Sequence, residues 1–197
     1  MSMKNLYSGG ARRRALSAAD IAKCALFTSL MIVGAFVKIP FPFVPLTFQT
    51  AFAVLAGLLL GPKKGAISVG CYMLLGLIGI PVFTSGGGIG YVMLPSFGYI
   101  IGFVAAAAVA GFSIKFCKRP AIYMLIALAA VAVNYIVGIA YFIAVWQISG
   151  YENLASALIT YNVLYIPKDV VLAAIAAIVA IKLNRMQINC RHNAEKE

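Results

Sequence analysis

From Thr47 to Val82 the chain is almost wholly apolar, and the only charges in that stretch, Lys63 and Lys64, sit in the string Gly61-Pro62-Lys63-Lys64-Gly65. Proline has no N–H to give a helix and its ring clashes with the preceding turn, so one continuous helix is disfavoured there. The stretch therefore reads as two short apolar helices joined by a tight turn. Further apolar runs cover Ala18–Phe36, Ser96–Phe116, Ala121–Trp146 and Val170–Leu183, the last short unless Pro167–Asp169 begin it. A helix that crosses a bilayer needs about 20 mainly apolar residues. These runs predict an all-α integral membrane protein with six transmembrane helices. Composition agrees: 63% of the 197 residues are hydrophobic, 11% are charged, and the mean hydropathy is +0.97. A soluble domain of this length does not bury so much apolar surface.

The net charge of +11 raises nucleic-acid binding as a possibility, and the placement of the charges removes it. If the N-terminus is cytoplasmic, Lys4, Arg12, Arg13, Arg14, Lys23, Lys63, Lys64, Lys115, Lys118, Arg119, Lys182, Arg185, Arg191 and Lys196 all fall on the cytoplasmic side. Only Lys38 and Lys168 fall outside. This is the positive-inside asymmetry of a membrane protein with both termini cytoplasmic. The expected organisation is a basic tail over residues 1–17, a membrane domain over 18–185 and a polar tail over 186–197. Arg12–Arg14 resemble the basic start of a signal peptide. The apolar run after them is long, however, and ends in Lys38-Ile39-Pro40-Phe41-Pro42-Phe43-Val44-Pro45 rather than at small residues, so cleavage is not expected. The cysteines (Cys24, Cys71, Cys117, Cys190) are scattered, and the single histidine, His192, is near Cys190 alone, so neither a metal centre nor a disulfide framework is expected. No internal repeat is visible.

The segments expected on the outer side are unlike solvated loops. Gly79–Tyr99 contains no charge and combines Ser85–Gly90, mostly glycine, with Val82, Phe83, Tyr91, Val92, Met93 and Leu94. Such a segment folds back into protein, either as a plug or where its glycines let backbone approach a ligand. Lys38–Thr50 holds three prolines, with Thr47 and Gln49 two residues apart and on one side of an extended backbone. The fifth connection adds Gln147, Glu152, Asn153, Tyr161, Asn162 and Tyr165. Together these describe an apolar cup with few polar contacts, the usual form of a small-molecule site. Two readings of Asp169 stay open: a carboxylate favoured by the dipole of the last helix, or a ligand contact. Lys168 is likewise a snorkelling side chain or a ligand contact. Asn134, mid-way along the fifth span on the face of Gly138, Tyr141 and Val145, reads as an interhelical hydrogen bond unless the cup reaches it.

Ala18, Ala22, Ala25 and Ser29 recur at steps of four, three and four, a smooth stripe suited to close helix approach. No Walker A motif is present, Gly61–Gly65 lacking the Gly-Lys-Ser/Thr ending. His-based zinc and Ser–His catalysis have no parts, and no acidic residue lies mid-span to couple transport to an ion. The chain is built to bind and lacks the means to energise movement, so a partner is expected.

The string VPLTFQTAFAVLAGLLLGPKKGAISVGCYMLLGLIGIPVF (Val44–Phe83), followed by the Gly-rich connection and LPSFGYIIGF (Leu94–Phe103), resembles the BioY family. Its members are biotin-binding S components of energy-coupling factor (ECF) transporters. The resemblance covers nearly all of the chain after the N-terminal tail. Its most specific parts are Pro-x-Thr-x-Gln, the Gly-Pro-basic turn, and Gly-x-Pro-Val-Phe with the glycines after it. It implies six helices and a biotin pocket near the external face of a bacterial or archaeal cell (inner) membrane. It also implies a transmembrane T subunit and two cytoplasmic ATPases as partners, docking on the Ala-x-x-x-Ala stripe, and no cofactor or enzymatic activity. In that setting Asp169 accepts from the ureido N–H groups and Lys168 pairs with the carboxylate. Thr47, Gln49 and Asn134 complete the polar contacts, and Phe83, Tyr91 and Tyr99 form apolar walls. Two departures stand out. The family's Pro-Gly-Asp-x-x-Lys reads Pro167-Lys168-Asp169-Val170-Val171-Leu172 here, and Pro95-Ser96-Phe97-Gly98-Tyr99 replaces Pro-Thr-Gly-Gly-Tyr, with Phe97 expected to narrow the cup. The alternatives are an S component for a related vitamin or biotin precursor, and a facilitator working alone.

Overall fold

A computed structural model of the chain describes residues 16–39, 44–116, 120–163 and 165–194. The expected basic tail up to Arg14, Pro40 and Pro42 of the first connection, Lys118, Arg119 and Lys196 lie outside the described residues. Helix α1 (Ala18–Phe36) starts at a capping box: Asp20 N–H donates to Ser17 Oγ at 3.2 Å and Ser17 N–H to the Asp20 carboxylate at 3.3 Å. A two-residue antiparallel pair follows, with Lys38 opposite Thr47. Helices α2 (Gln49–Leu60) and α3 (Pro62–Leu77) are separated by Gly61 alone, whose φ of 86° makes the turn and whose successor Pro62 opens the next helix. Helix α4 (Phe97–Ala110) tightens into a 3-10 turn over Gly111–Phe116. Helix α5 (Pro120–Ile148), the short α6 (Leu154–Leu158) with a π turn over Ile159–Val163, and α7 (Ile166–Ala194) complete the chain.

Among the described residues, the helices of ten residues or more are the six that the sequence predicts, and α1 has the predicted bounds. Three stretches are long and apolar enough to cross a membrane: Ala18–Phe36, Pro120–Ile148 and Leu154–Asn184. Helices α2, α3 and α4 are shorter, at 12, 16 and 14 residues. Helix α7 begins before Pro167 and continues past Leu183 into the segment expected as a polar tail, as far as Ala194.

The Gly61–Pro62 turn marks one end of the bundle. A Cβ on Gly111 would lie 2.1 Å from Pro62 N, and one on Gly57 2.2 Å from Ala107 O, so bare glycine backbone lets α2, α3 and α4 meet there. At the same end Lys64 pairs with Asp20 at 2.5 Å, Thr28 Oγ1 donates to Ser68 O at 2.8 Å, and Asn184 Nδ2 donates to Tyr123 OH at 3.1 Å. Lys23, Lys63, Lys64 and Lys182 belong to this turn end, whereas Lys38 and Lys168 belong to the opposite one. Helices α4 and α5 run antiparallel through a glycine seam. A Cβ on Gly98 would meet Tyr141 Cβ at 2.4 Å, one on Gly102 would meet Asn134 Oδ1 at 2.3 Å, and one on Gly138 would meet the Tyr99 ring at 2.4 Å.

Candidate substrate-binding site

At the end opposite the turn, five of the six long helices and three connections enclose a cavity with about 540 Å³ of empty space including its mouth. The first connection and the start of α2 supply Val44, Pro45, Thr47, Gln49 and Thr50, and α3 supplies Tyr72. The Gly-rich connection supplies Thr84 and Tyr91; the entrance to α4 and its first turns supply Ser96, Tyr99, Ile100 and Phe103. Asn134 and Tyr135 come from α5, Tyr161 and Tyr165 from the fifth connection, and Lys168 and Asp169 from the first turn of α7.

Asp169 is only 5% exposed. Its carboxylate turns into the cavity instead of capping its own helix. Tyr135 OH donates to Oδ2 at 2.6 Å, and Oδ1 lies 2.8 Å from Lys168 Nζ as an ion pair without hydrogen-bond direction. Lys168 is not snorkelling outward: Nζ also donates to Thr47 O at 2.7 Å and thereby holds the first connection over the cavity. Tyr165 OH fastens the same connection at Val44 O, 2.7 Å away. Gln49 Nε2 donates to Tyr72 OH at 2.7 Å, and Thr47 Oγ1 lies 3.4 Å from Gln49 Oε1. Asn134, 2% exposed, has a carbonyl oxygen with no hydrogen-bond partner. In one cavity, therefore, Asn134 Oδ1 has no partner and Asp169 Oδ1 meets only the Lys168 ammonium, and the charges of that pair cancel. A buried acceptor left without a donor costs about 1–3 kcal/mol. This arrangement suits a ligand that brings N–H groups.

Of the residues singled out in the sequence, Thr47, Gln49, Tyr91, Tyr99, Asn134, Lys168 and Asp169 line the cavity and Phe83 does not. Phe83 lies fully buried behind the wall, its ring 4.6 Å from that of Tyr91 and 5.5 Å from that of Tyr72. Phe97 does not narrow the cavity either; it packs against Phe83 and Tyr141, with ring centroids 6.4 and 5.9 Å away. Leu172 is buried but off the cavity. The glycines after Thr84 approach their own chain rather than the cavity. Phe83 and Gly86 exchange backbone hydrogen bonds of 2.9 and 3.3 Å, and a Cβ on Gly87 would lie 2.3 Å from Ile80 O. They deliver Thr84 and Tyr91, whose hydroxyls are 2.7 Å apart.

In the fifth connection, Asn162 accepts from Tyr99 OH and donates to Leu158 O at 3.0 Å, while Gln147, Glu152 and Asn153 do not line the cavity. Sequence reasoning missed Tyr72 and Tyr135. Each is an aromatic residue inside an apolar run, and only the adjacency of Tyr135 to Asn134 pointed to it. The stripe Ala18, Ala22, Ala25 and Ser29 faces outward, unused by the chain's own helices, between exposed Ile21, Leu26 and Val33.

Comparison with known proteins gives a consistent set of relatives. The BioY family model matches residues 6–188. A probable biotin transporter BioY of Pyrococcus horikoshii is 37% identical over 170 residues, 85% of this chain and 98% of that protein. A biotin transporter BioY of Thermotoga maritima is 30% identical over 170 residues, 86% of this chain and 98% of that one. A probable biotin transporter BioY of Lysinibacillus sphaericus is 47% identical over 128 residues, with 61% of this chain and 65% of that protein aligned. Among solved structures, the S-component for biotin from an ECF-type ABC transporter superposes with a TM-score of 0.74 at 29% identity, covering 87% of this chain and 95% of that one.

Proposed function

This chain belongs to the BioY family, and from that premise we propose that it is the biotin-capturing S component of an ECF transporter. The observation that carries this reading is the pair of buried acceptors, Asp169 Oδ1 and Asn134 Oδ1, in one charge-balanced cavity. Biotin presents two ureido N–H donors, an apolar thioether ring and a carboxylate. The ureido donors suit the two acceptors, Asp169 forming the stronger, charge-assisted bond. Lys168 has three donors; one is given to Thr47 O, Asp169 Oδ1 is held as an ion pair, and donor capacity remains for an acceptor on the ligand. Gln49, Thr47 and Tyr99 supply the remaining polar edges, and Tyr91, Ile100 and Phe103 the apolar ones.

The protein is a membrane protein, and in this reading it crosses a bacterial or archaeal cell membrane six times with both termini cytoplasmic. The gathering of Lys23, Lys63, Lys64 and Lys182 at the turn end supports that orientation, which places the cavity outside. Biotin is captured there. A transmembrane T subunit, docked on the exposed Ala18–Ala22–Ala25–Ser29 stripe, and two cytoplasmic ATPases then drive its delivery to the cytoplasm. The chain itself is no enzyme and needs no cofactor.

Calorimetric titration of the purified chain with biotin, after removal of bound ligand, tests the reading. Tight binding near one ligand per chain is expected. A folded sample that does not bind biotin overturns the assignment of substrate and turns attention to related vitamins and biotin precursors.

A further inference from the structure

We infer that the connection between α3 and α4, residues 78–96, is seated in the bilayer and packs its outer side against lipid acyl chains rather than facing water. The inference rests on the chain being a membrane protein, and it does not depend on which ligand the cavity holds or on which way the termini face. Four observations carry it.

The first is charge. No ionisable Asp, Glu, Lys, Arg or His occurs anywhere from Gly65 to Ile114, which covers both flanking helices as well as the connection. The second is length. Helix α3 has 16 residues and α4 has 14, so at 1.5 Å per residue they rise about 24 and 21 Å, short of a hydrocarbon core of about 30 Å. With their other ends fixed at the Lys63–Lys64 turn, the connection starts and finishes inside the apolar layer. The third is sidedness. Val82, Phe83, Thr84, Tyr91 and Ser96 turn inward and are buried, whereas Ile78 (73% exposed), Ile89 (81%) and Met93 (69%) turn outward together with Ile80 and Leu94. An outward face of large apolar side chains around a loop is costly in water and favourable in lipid.

The fourth is the backbone. Non-helical chain is tolerated at membrane depth only when its polar groups are satisfied by protein. Here the N–H groups of Ile78, Gly79, Ile80, Val82, Phe83, Gly86, Gly88, Tyr91 and Leu94 all donate to carbonyls between Leu74 and Tyr91, at 2.7 to 3.3 Å. The carbonyl of Val92 accepts from Tyr141 OH on α5. The positive φ of Gly79, Gly86 and Gly88 folds the segment tightly enough for these nine N–H groups to bond within it or to the end of α3. Thr84 and Tyr91, two residues of the cavity wall, therefore ride on a lipid-seated element.

The test is the depth of residues 89 and 93 in phosphatidylcholine/phosphatidylglycerol vesicles holding the full chain alone. Ile89→Cys and Met93→Cys, made in a background with the four native cysteines replaced by serine, carry a nitroxide. Its collision rates with oxygen and with nickel-EDDA are then compared. Ile178→Cys on the outer face of α7 and Glu152→Cys in the charged fifth connection are the controls. Residues 89 and 93 are expected to match 178, accessible to oxygen and shielded from the nickel complex by at least tenfold relative to 152. Values matching 152 overturn the inference, as does shielding from both reagents, which would mean that a second copy of the chain covers the face. Nickel accessibility at 178 as well would instead refute the membrane reading on which the inference rests. Should the cysteine-free background not fold, Ile89→Trp and Met93→Trp, quenched by acyl-brominated lipid, make the same measurement.

Discussion

At the residue scale, Asp169 is hydrogen-bonded through one oxygen and has acceptor capacity at the other, and both facts make predictions. Asp169→Asn keeps the size of the side chain and removes its charge. A hydrogen bond to a charged group is worth about 1.5–3 kcal/mol, so biotin affinity should fall roughly 10- to 150-fold while the protein stays folded. Titration of a variant shown to be intact by its melting profile checks this, and an unchanged affinity removes Asp169 from the site. Tyr135 acts one step back, holding Oδ2 at 2.6 Å with its ring set edge-on to Tyr99 at 6.1 Å. Tyr135→Phe retains that packing and releases the carboxylate, so affinity should drop by roughly fivefold, about 1 kcal/mol. The drop should vanish in the Asp169→Asn background, where there is no carboxylate to orient. Additive losses in the double variant would assign Tyr135 a direct contact or a purely structural part.

At the element scale the α4–α5 seam couples packing to the site. A methyl group on Gly138 would reach the ring of Tyr99, which lines the cavity and is tied to Asn162. Gly138→Ala should cost about 1–3 kcal/mol of stability through overpacking and weaken biotin binding by displacing Tyr99. Gly70→Ala on α3, where an added Cβ meets nothing within 4 Å, should do neither; thermal melting of both variants with and without biotin decides. Helix α1 makes the opposite case, a smooth outward face that the other described helices leave exposed. Ala22→Phe should leave biotin titration unchanged and abolish co-purification with the T subunit. Assembly that survives the bulky side chain would move the docking surface elsewhere.

At the scale of the whole molecule five of the six long helices form a container with a glycine-packed turn end and a cavity end covered by connections. In the proposed reading the energy comes from the partner ATPases. Uptake of labelled biotin should therefore require the T subunit and active ATPases, and an ATPase-deficient partner should abolish accumulation while leaving binding intact. Equal uptake by cells that hold this chain alone would favour the solitary facilitator.

Sequence by itself determined the six helices, the bounds of α1 and the break at Pro62, but not the ends of α7, which begins at Ile166 and continues past Leu183. Apolar run length, Pro62 and the lysines clustered at one end are local signals, readable wherever the chain folds. It also marked Thr47, Gln49, Asn134, Lys168 and Asp169, because a polar side chain in an apolar run needs a reason. It did not separate Tyr91, which lines the cavity, from Phe83, which supports it, and it passed over Tyr72 and Tyr135. Which face of a helix points inward is legible when the outward face is polar. In lipid both faces are apolar, so the period carries little information, and an aromatic residue toward the cavity reads like one toward the core. Only the tertiary structure decided that, by crossing α4 over α5 at glycines and turning the first residues of α7 inward. The glycines after Thr84 show the same limit: the sequence announced a tight backbone, and the fold alone showed that it closes on itself rather than on a ligand.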